Sequence, residues 1–528
     1  MPYRVLILML LLTSLAEAQV NRYFVYFKDK NGTPYSISQP NQFLTSKSLA
    51  RRTQQGISIT TEDLPVNPDY VNQVKSTGAK TFFTSRWWNG VLIESDAATV
   101  ALINSLPIVK ETILVAPGSK LMGGRKSKIR ERKNNTAEDP VNHFQLQQLG
   151  LEKMHADGLR GEGIPVAVFD SGFEGVNLTA PFAHLFSENR VKYTYNFVSN
   201  TTSVYELDDH GTEVLSVIAA FTEGSYVGGA YKADYYLFLT EDVSSEYRIE
   251  EFNWTFAAEK ADSLGVYVIN SSLGYNTFDD ISMNYTPADL NGKTAIITQA
   301  AQWAIDRGMI VVCSAGNEGS NSWKFVTPPA DAPGILAIGS VTGTGLLSSF
   351  SSMGPTADSR IKPDLVALGS GTSVVRASGA IGTSSGTSLA SPLVASLAVG
   401  VWQGFPLLSA TEVGDMLKES GTLASNPNNQ MGYGIPNYNV MTTAIREPKS
   451  EVLLYPNPVV TDIVTVSTPY PSEGVQIVVY DTRGSRVLES STFSGGPVEL
   501  DLGSLRPGLY LVLIRLGRET VTKRILKL

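Results

Sequence analysis

Three short segments of this 528-residue chain carry side chains that could move a proton and attack a carbonyl carbon. In the first, Val166-Ala167-Val168-Phe169-Asp170-Ser171-Gly172, an apolar run ends in an acid and a turn. A carboxylate at such a strand end is held rigidly and partly out of water, where it can orient an imidazole through the Nδ1 proton. The second, Asp208-Asp209-His210-Gly211-Thr212-Glu213-Val214, runs into the apolar LSVIAA and reads as a helix opened by a capping group near His210. A histidine there can accept a hydroxyl proton near neutral pH. The third, Gly386-Thr387-Ser388-Leu389-Ala390-Ser391-Pro392, precedes LVASLAVGVW and puts Ser388 at a helix start. There its own N–H and the helix dipole favour developing negative charge. Each segment taken singly also has a plainer reading: an Asp-Ser-Gly turn, a surface histidine beside acids, a serine-rich helix cap.

Two further loops follow apolar runs. Ser314-Ala315-Gly316-Asn317-Glu318-Gly319 comes directly after MIVVC, so Asn317 is carried to the same sheet edge as Asp170 with an amide free to donate to an oxyanion. Asn270-Ser271-Ser272-Leu273-Gly274 offers extended backbone for pairing with a peptide. Their plainer roles are a turn asparagine and an ordinary strand-to-helix loop. Asp, His and Ser in that chain order, each in a small-residue motif and with an amide donor before the Ser, form a far rarer combination than any one part.

These residues need a scaffold that brings them together. From about Asp139 to Glu447, IPVAVFD, YYLFLT, VYVIN, MIVVC, GILAIGS and PDLVALG alternate with the helical patterns IEEFNWTFAAEKADSLG and TAIITQAAQWAIDRG. That alternation predicts an α/β domain, a parallel sheet with helices on both faces, whose site lies beyond the C-terminal ends of the strands. Residues 19–117 read as a small α+β unit, and 118–139 as an exposed basic linker built around Lys120 to Lys133, a place where a precursor can be cut. Residues 448–528 carry short strands at regular spacing, the pattern of a separate β-sandwich. At the start, Arg4, the apolar run Val5 to Leu12 and Ala16-Glu17-Ala18 read as a secretory signal over residues 1–18, too short to anchor in a membrane.

The whole pattern resembles the subtilisin-like serine proteases, whose triad runs Asp, His, Ser. The likeness is carried by QLQQLGLEKMHADGLRGEGIPVAVFDSG, HGTEVLSVIAA, NSSLG, SAGNEG and GTSLASP, across the central domain of 140–447. It implies that Asp170 orients His210, that His210 is the general base and Ser388 the nucleophile, and that Asn317 with the Ser388 N–H forms the oxyanion hole. Ser272, Leu273 and Gly274 then line the pocket for the residue before the cut bond. The resemblance extends outward: residues 20 to about 115 are similar to propeptides that assist folding and block the cleft. Residues from about 450, with LYPNPV, VVYDTRG, LDLGSLRPGLYLVLI and KRILKL, resemble the sorting domain of the bacterial type IX secretion pathway. The implied partners are protein or peptide substrates, the chain's own propeptide and the type IX machinery; the implied location is outside the cell, by way of the periplasm. The chemistry needs no cofactor, and structural calcium is compatible with the family. Departures are local: Glu213 stands where many members carry a second His, Leu215 and Ser216 replace a small pair, and Leu393 and Ser396 interrupt the usual helix after Pro392.

Composition removes other classes. A net charge of −8 argues against a nucleic-acid binder, and one Cys with four His excludes disulfide frameworks and Cys-rich zinc modules. Gly382-Thr383-Ser384-Ser385-Gly386 fits an esterase elbow with Ser384 as nucleophile, but that fold needs a His downstream, and His143, His155, His184 and His210 all lie upstream. No H-E-x-x-H segment supports a zinc protease. The remaining rival is a protease-like domain that has kept its shape and serves only to bind at the cell surface. Cys313, inside MIVVC, reads as a core residue.

Overall fold

The computed structural model describes residues 20–118, 142–444, 452–467, 475–492, 498–516 and 519–528. The signal segment and nearly all of the basic linker lie outside these residues. The chain divides into two compact units at Met441/Thr442.

In the first unit the N-terminal region forms β1 (Asn21–Phe27), α1 (Ser46–Gln54), α2 (Pro68–Ser76), β2 (Lys80–Ser85), β3 (Gly90–Ser95), α3 (Ala97–Asn104) and β4 (Val109–Ala116). Its sheet is antiparallel in the order β2-β3-β1-β4. The helices begin where the letters say they should: Thr45, Asn67 and Asp96 each accept a backbone N–H of the first turn, and α2 carries Pro68 at its first position.

The central domain follows as β5 (Pro165–Asp170), β6 (Val191–Asn196), α4 (His210–Ala219), β7 (Asp234–Leu239), α5 (Ile249–Leu264), β8 (Val268–Ser271), α6 (Ile296–Asp306), β9 (Ile310–Ser314), β10 (Leu336–Val341), β11 (Leu365–Leu368) and α7 (Thr387–Gly404). Seven strands, all parallel, lie in the order β11-β10-β9-β8-β5-β7-β6. The six expected apolar runs are all strands. The seventh, β6, is an edge strand that is only half buried, so VKYTYN lacks a continuous apolar signature. The order reverses around β5, so the crevice forms beyond Asp170 at that strand's end. One expectation fails: α7 runs unbroken through Leu393 and Ser396, which are fully buried, and the Ser396 hydroxyl donates to the Pro392 carbonyl at 2.8 Å. A long apolar helix in the middle of a domain buries such residues on all sides.

The N-terminal region packs on α5 and α6. Phe24 stacks on Phe252 at 4.3 Å between ring centroids, and Trp88 meets Trp303 edge-on at 4.5 Å. Beside this apolar contact lies a buried charge network. Asp262, near the end of α5, receives Arg51 at 2.5 Å and Arg52 at 2.7 Å, with Arg86 on the same carboxylate. Arg52 also pairs with Asp63 at 2.9 Å, and Arg307 reaches Asp63 at 3.0 Å. Three guanidinium groups at a helix C-terminus also complement the negative end of its dipole.

The second unit contains two antiparallel sheets. One is Leu453–Tyr455, Ile463–Ser467 and Val498–Asp501; the other is Arg486–Thr492, Val475–Tyr480, Gly508–Leu516 and Glu519–Lys527. Val464, Val466, Ile477, Val479, Val512, Ile514 and Ile525 form their shared core, the sandwich expected from the period-2 spacing.

The Asp63 carboxyl gives this docking an acid limit. Burial would raise its pKa, but hydrogen bonds and charge from Arg52 and Arg307 overcome that and hold it down to about 2. A depressed carboxyl adds stability above its unfolded value of about 4 and loses it as the pH falls toward the folded value. The intact chain is therefore expected to lose stability between pH 4 and 2 more steeply than an Asp63→Asn variant in denaturant titrations. Parallel pH slopes for the two proteins would contradict this.

Candidate active site

Asp170 is the last residue of β5 and is completely buried. Its Oδ1 lies 2.5 Å from His210 Nδ1 and also accepts the Ser171 N–H at 2.8 Å. His210 opens α4; Asp209 is the N-cap but makes no side-chain cap, so the expected capping group near the histidine is absent. A buried acid on Nδ1 selects the tautomer that leaves Nε2 free to act as acceptor.

Ser388 is the second residue of α7. Pro392, four residues on, has no N–H, so the Ser388 carbonyl loses its helical donor. The Ser272 hydroxyl supplies the replacement at 2.8 Å. Behind it, the Asn270 side-chain amide donates to Ser272 Oγ at 3.2 Å, and the Ser391 hydroxyl donates to Asn270 Oδ1 at 2.8 Å. Residues more than a hundred positions apart thus fix the first turn of α7 through a buried, fully paired chain. Ser272 is therefore a scaffold for the serine backbone as far as its hydroxyl is concerned. Leu273 and Gly274 continue from it past the end of β8.

Asn317 follows β9 by three residues. Its Oδ1 accepts both the N–H of Thr387 at 2.9 Å and the Thr387 hydroxyl at 3.0 Å. With the oxygen pinned, the NH2 group must face the other way. Gly386 shows where: a Cβ at that position would lie 2.8 Å from Ser388 Oγ and 3.6 Å from Asn317 Nδ2. The serine oxygen and the amide thus border one small space that only glycine leaves open. The structure closes the Asp170–His210 contact and puts Ser388 beside Asn317; no hydrogen bond joins Ser388 Oγ to His210 Nε2 in this resting arrangement.

Sequence reading missed the partners of Glu213. This carboxylate is buried, accepts from Arg376 Nη1 at 2.8 Å and from the Ser384 hydroxyl at 2.7 Å, and so anchors α4 to the hairpin of residues 372–384. Ser384, the esterase-type candidate, spends its proton there. Ser216, another departure, accepts the Val375 N–H at 2.9 Å on the same hairpin. Cys313 is fully buried, and burial pushes its thiol up to about 12, the expected core residue. Among the described residues no group of three or more His, Cys, Asp or Glu is arranged to hold a metal. No described helix is long and apolar enough to cross a membrane.

Two substitutions test this scaffolding. Ser272→Ala leaves a buried carbonyl without its donor and is expected to cost about 1–3 kcal/mol in denaturant unfolding of the intact chain; an unchanged midpoint contradicts the role. Arg376→Ala takes the cation away from the buried Glu213 carboxylate, at a cost of about 3–5 kcal/mol, and the Arg376→Ala/Glu213→Gln pair is expected to recover most of it. Equal losses in both proteins would show that the ion pair is not what matters.

Comparison with known proteins gives a consistent result. Residues 22–135 match the Peptidase S8 propeptide domain of Bacteroidota, and residues 453–527 match the secretion system C-terminal sorting domain, which marks a protein sent to the cell surface or beyond. Subtilisin NAT of Bacillus subtilis subsp. natto is 29% identical over 287 residues, covering 54% of this chain and 67% of that one. The subtilisin of Bacillus pumilus is 29% identical over 283 residues, 53% of this chain and 91% of its own length. In fold, the epidermin leader peptide processing serine protease of Staphylococcus aureus aligns over 82% of this chain and all of its own, with a TM-score of 0.57 at 15% identity. Residues 161–434, just over half of the chain, match the Subtilase family and contain the Asp170, His210, Asn317 and Ser388 segments; the chain belongs to that family of serine proteases.

Proposed function

We propose that this chain is the precursor of a secreted endopeptidase that cuts peptide bonds through an acyl-enzyme, with Asp170, His210 and Ser388 as its triad. The observation that carries the proposal is the closed Asp170–His210 contact at the same sheet edge as Ser388 and Asn317. Ser388 Oγ attacks the carbonyl carbon as its proton passes to His210 Nε2, and the buried Asp170 carboxylate stabilises the imidazolium that results. The carbonyl oxygen becomes an oxyanion and takes hydrogen bonds from the Ser388 N–H and Asn317 Nδ2, both fixed before the reaction begins. Collapse breaks the C–N bond, and His210 gives its proton to the leaving amine. Water then attacks the ester with His210 again as base, which releases the acid product and restores Ser388. Leu273 and Gly274 line the pocket for the residue before the cut bond. None of these steps needs a metal.

In the precursor, the region ending near residue 117 sits on α5 and α6 and keeps the cleft closed until the chain is cut within the basic stretch of 118–139. The region from 448 directs export. The groups that dock the N-terminal region are buried ion pairs and aromatic stacks, contacts that hold firmly at neutral pH.

Casein hydrolysis by the purified secreted protein tests the reading. Ser388→Ala is expected to lose roughly a million-fold in turnover and Asn317→Ala roughly a hundred- to thousand-fold, magnitudes measured in subtilisin and carried over from it. A wild-type protein that leaves casein intact after removal of the N-terminal region would make the idle binding module the better reading.

A further inference from the structure

Asp208 stands two residues before His210 and takes no part in the relay described above. Both of its oxygens are committed: Oδ1 accepts the N–H of Asp209 at 2.8 Å, and Oδ2 accepts the Ser171 hydroxyl at 2.8 Å. The same Ser171 oxygen lies 3.2 Å from Asp170 Oδ1. A hydroxyl has a single proton to give. The shorter contact is with Asp208, so the proton goes there, and Asp170 keeps only the backbone N–H of Ser171 and the imidazole as donors.

The loop that carries Asp208 is strapped in place. Phe173 N–H donates to Val204 O at 2.9 Å, and Glu174 N–H donates to Asp208 O at 3.2 Å. A Cβ on Gly172 would lie 2.4 Å from Glu206 O and 2.7 Å from Asp208 N, so the two backbones touch where only glycine fits. Leu207, between them, is held at φ +77° with its side chain exposed. A branched residue adopts that left-handed conformation only when its surroundings impose it.

We propose that Asp208 is a positioning residue for the Asp170–His210 pair. Acting through Ser171, it turns the hydroxyl donor away from Asp170, which leaves the Asp170 Oδ1 lone pairs to the imidazole and the Ser171 N–H. The proposal rests on His210 being the general base. The other charged groups around the pair come from four directions. Glu206 and Asp209 lie on the same loop, and Glu174 lies on the turn after β5. Glu213 on α4 is neutralised by Arg376, and Glu241, just past β7, is pushed by burial up to about 8 and so carries little charge below neutral pH. The first turn of α7 brings the hydroxyls of Thr387 and Ser388.

The test reads His210 directly. The chain has four histidines, so the ring signals of the full chain carrying Ser388→Ala can be followed by NMR against pH, with the His210 signal assigned by its loss in His210→Gln. Adding Asp208→Asn is expected to lower the His210 midpoint by about half a unit, because a Ser171 hydroxyl turned back onto Asp170 competes with the imidazolium for the same carboxylate oxygen. In a Ser171→Ala background the same substitution is expected to move it much less. A midpoint unmoved by Asp208→Asn, or moved equally with and without Ser171, overturns the proposal. In the active mature enzyme the acid limb of kcat/KM is expected to move with the NMR midpoint while KM stays nearly constant; a change in KM alone counts against it. Failure of the wild-type protein to hydrolyse peptides would instead defeat the reading of the site, and the two failures are separate.

Discussion

The 2.5 Å contact between Asp170 Oδ1 and His210 Nδ1 is the interaction on which the rest of the molecule depends. A carboxylate with no exposure to solvent is costly to bury, and it is tolerated only because its surroundings pair it. Those surroundings are the fold itself. The β5 strand has a neighbour on either side and presents Asp170 at its end, and α4 is set so that its first residue meets that acid. Reverse the register of β5 or detach α4, and the acid is left buried without its partner.

The serine side of the site obeys a different constraint. A proline inside α7 frees one carbonyl of the helix, and that carbonyl belongs to the residue whose hydroxyl faces the crevice. Three side chains from the end of β8 and from α7 itself are used to hold it. Asn317 is treated in the same way: its oxygen is spent on Thr387 so that its amide is aimed before any ligand arrives. Both arrangements move the cost of ordering from the reaction to folding, which is what preorganised electrostatic catalysis requires. The N-terminal region adds charge pairs and stacked rings across α5 and α6, so the part of the chain that is folded against the catalytic domain also buries charges that would be hard to bury alone.

Much of this was legible in the letters, and the reason is locality. Asp170, His210, Asn317 and Ser388 each sit at a junction between an apolar run and small residues, so short-range pattern reveals the element and the end at which the residue falls. Cys313 was legible because its neighbours in MIVVC are all apolar. What stayed hidden was decided through space. Nothing near Glu213 in sequence points to Arg376, 163 residues away, and nothing in Ser272 announces a carbonyl 116 residues on. The edge strand β6 was hidden for another reason: half-exposed strands carry alternation that loops can imitate. The N-cap expected near His210 failed because tertiary contact with Asp170, rather than a local side chain, fixes that end of α4.

The central claim is that Ser388 is made nucleophilic by a histidine braced on a buried acid. Reaction of the mature protein with a serine-directed fluorophosphonate, mapped by peptide mass spectrometry, tests it most directly. The account predicts a single adduct on Ser388 that is lost when His210 is replaced by Ala. An adduct on another serine, or labelling of Ser388 that proceeds equally well without His210, would contradict it.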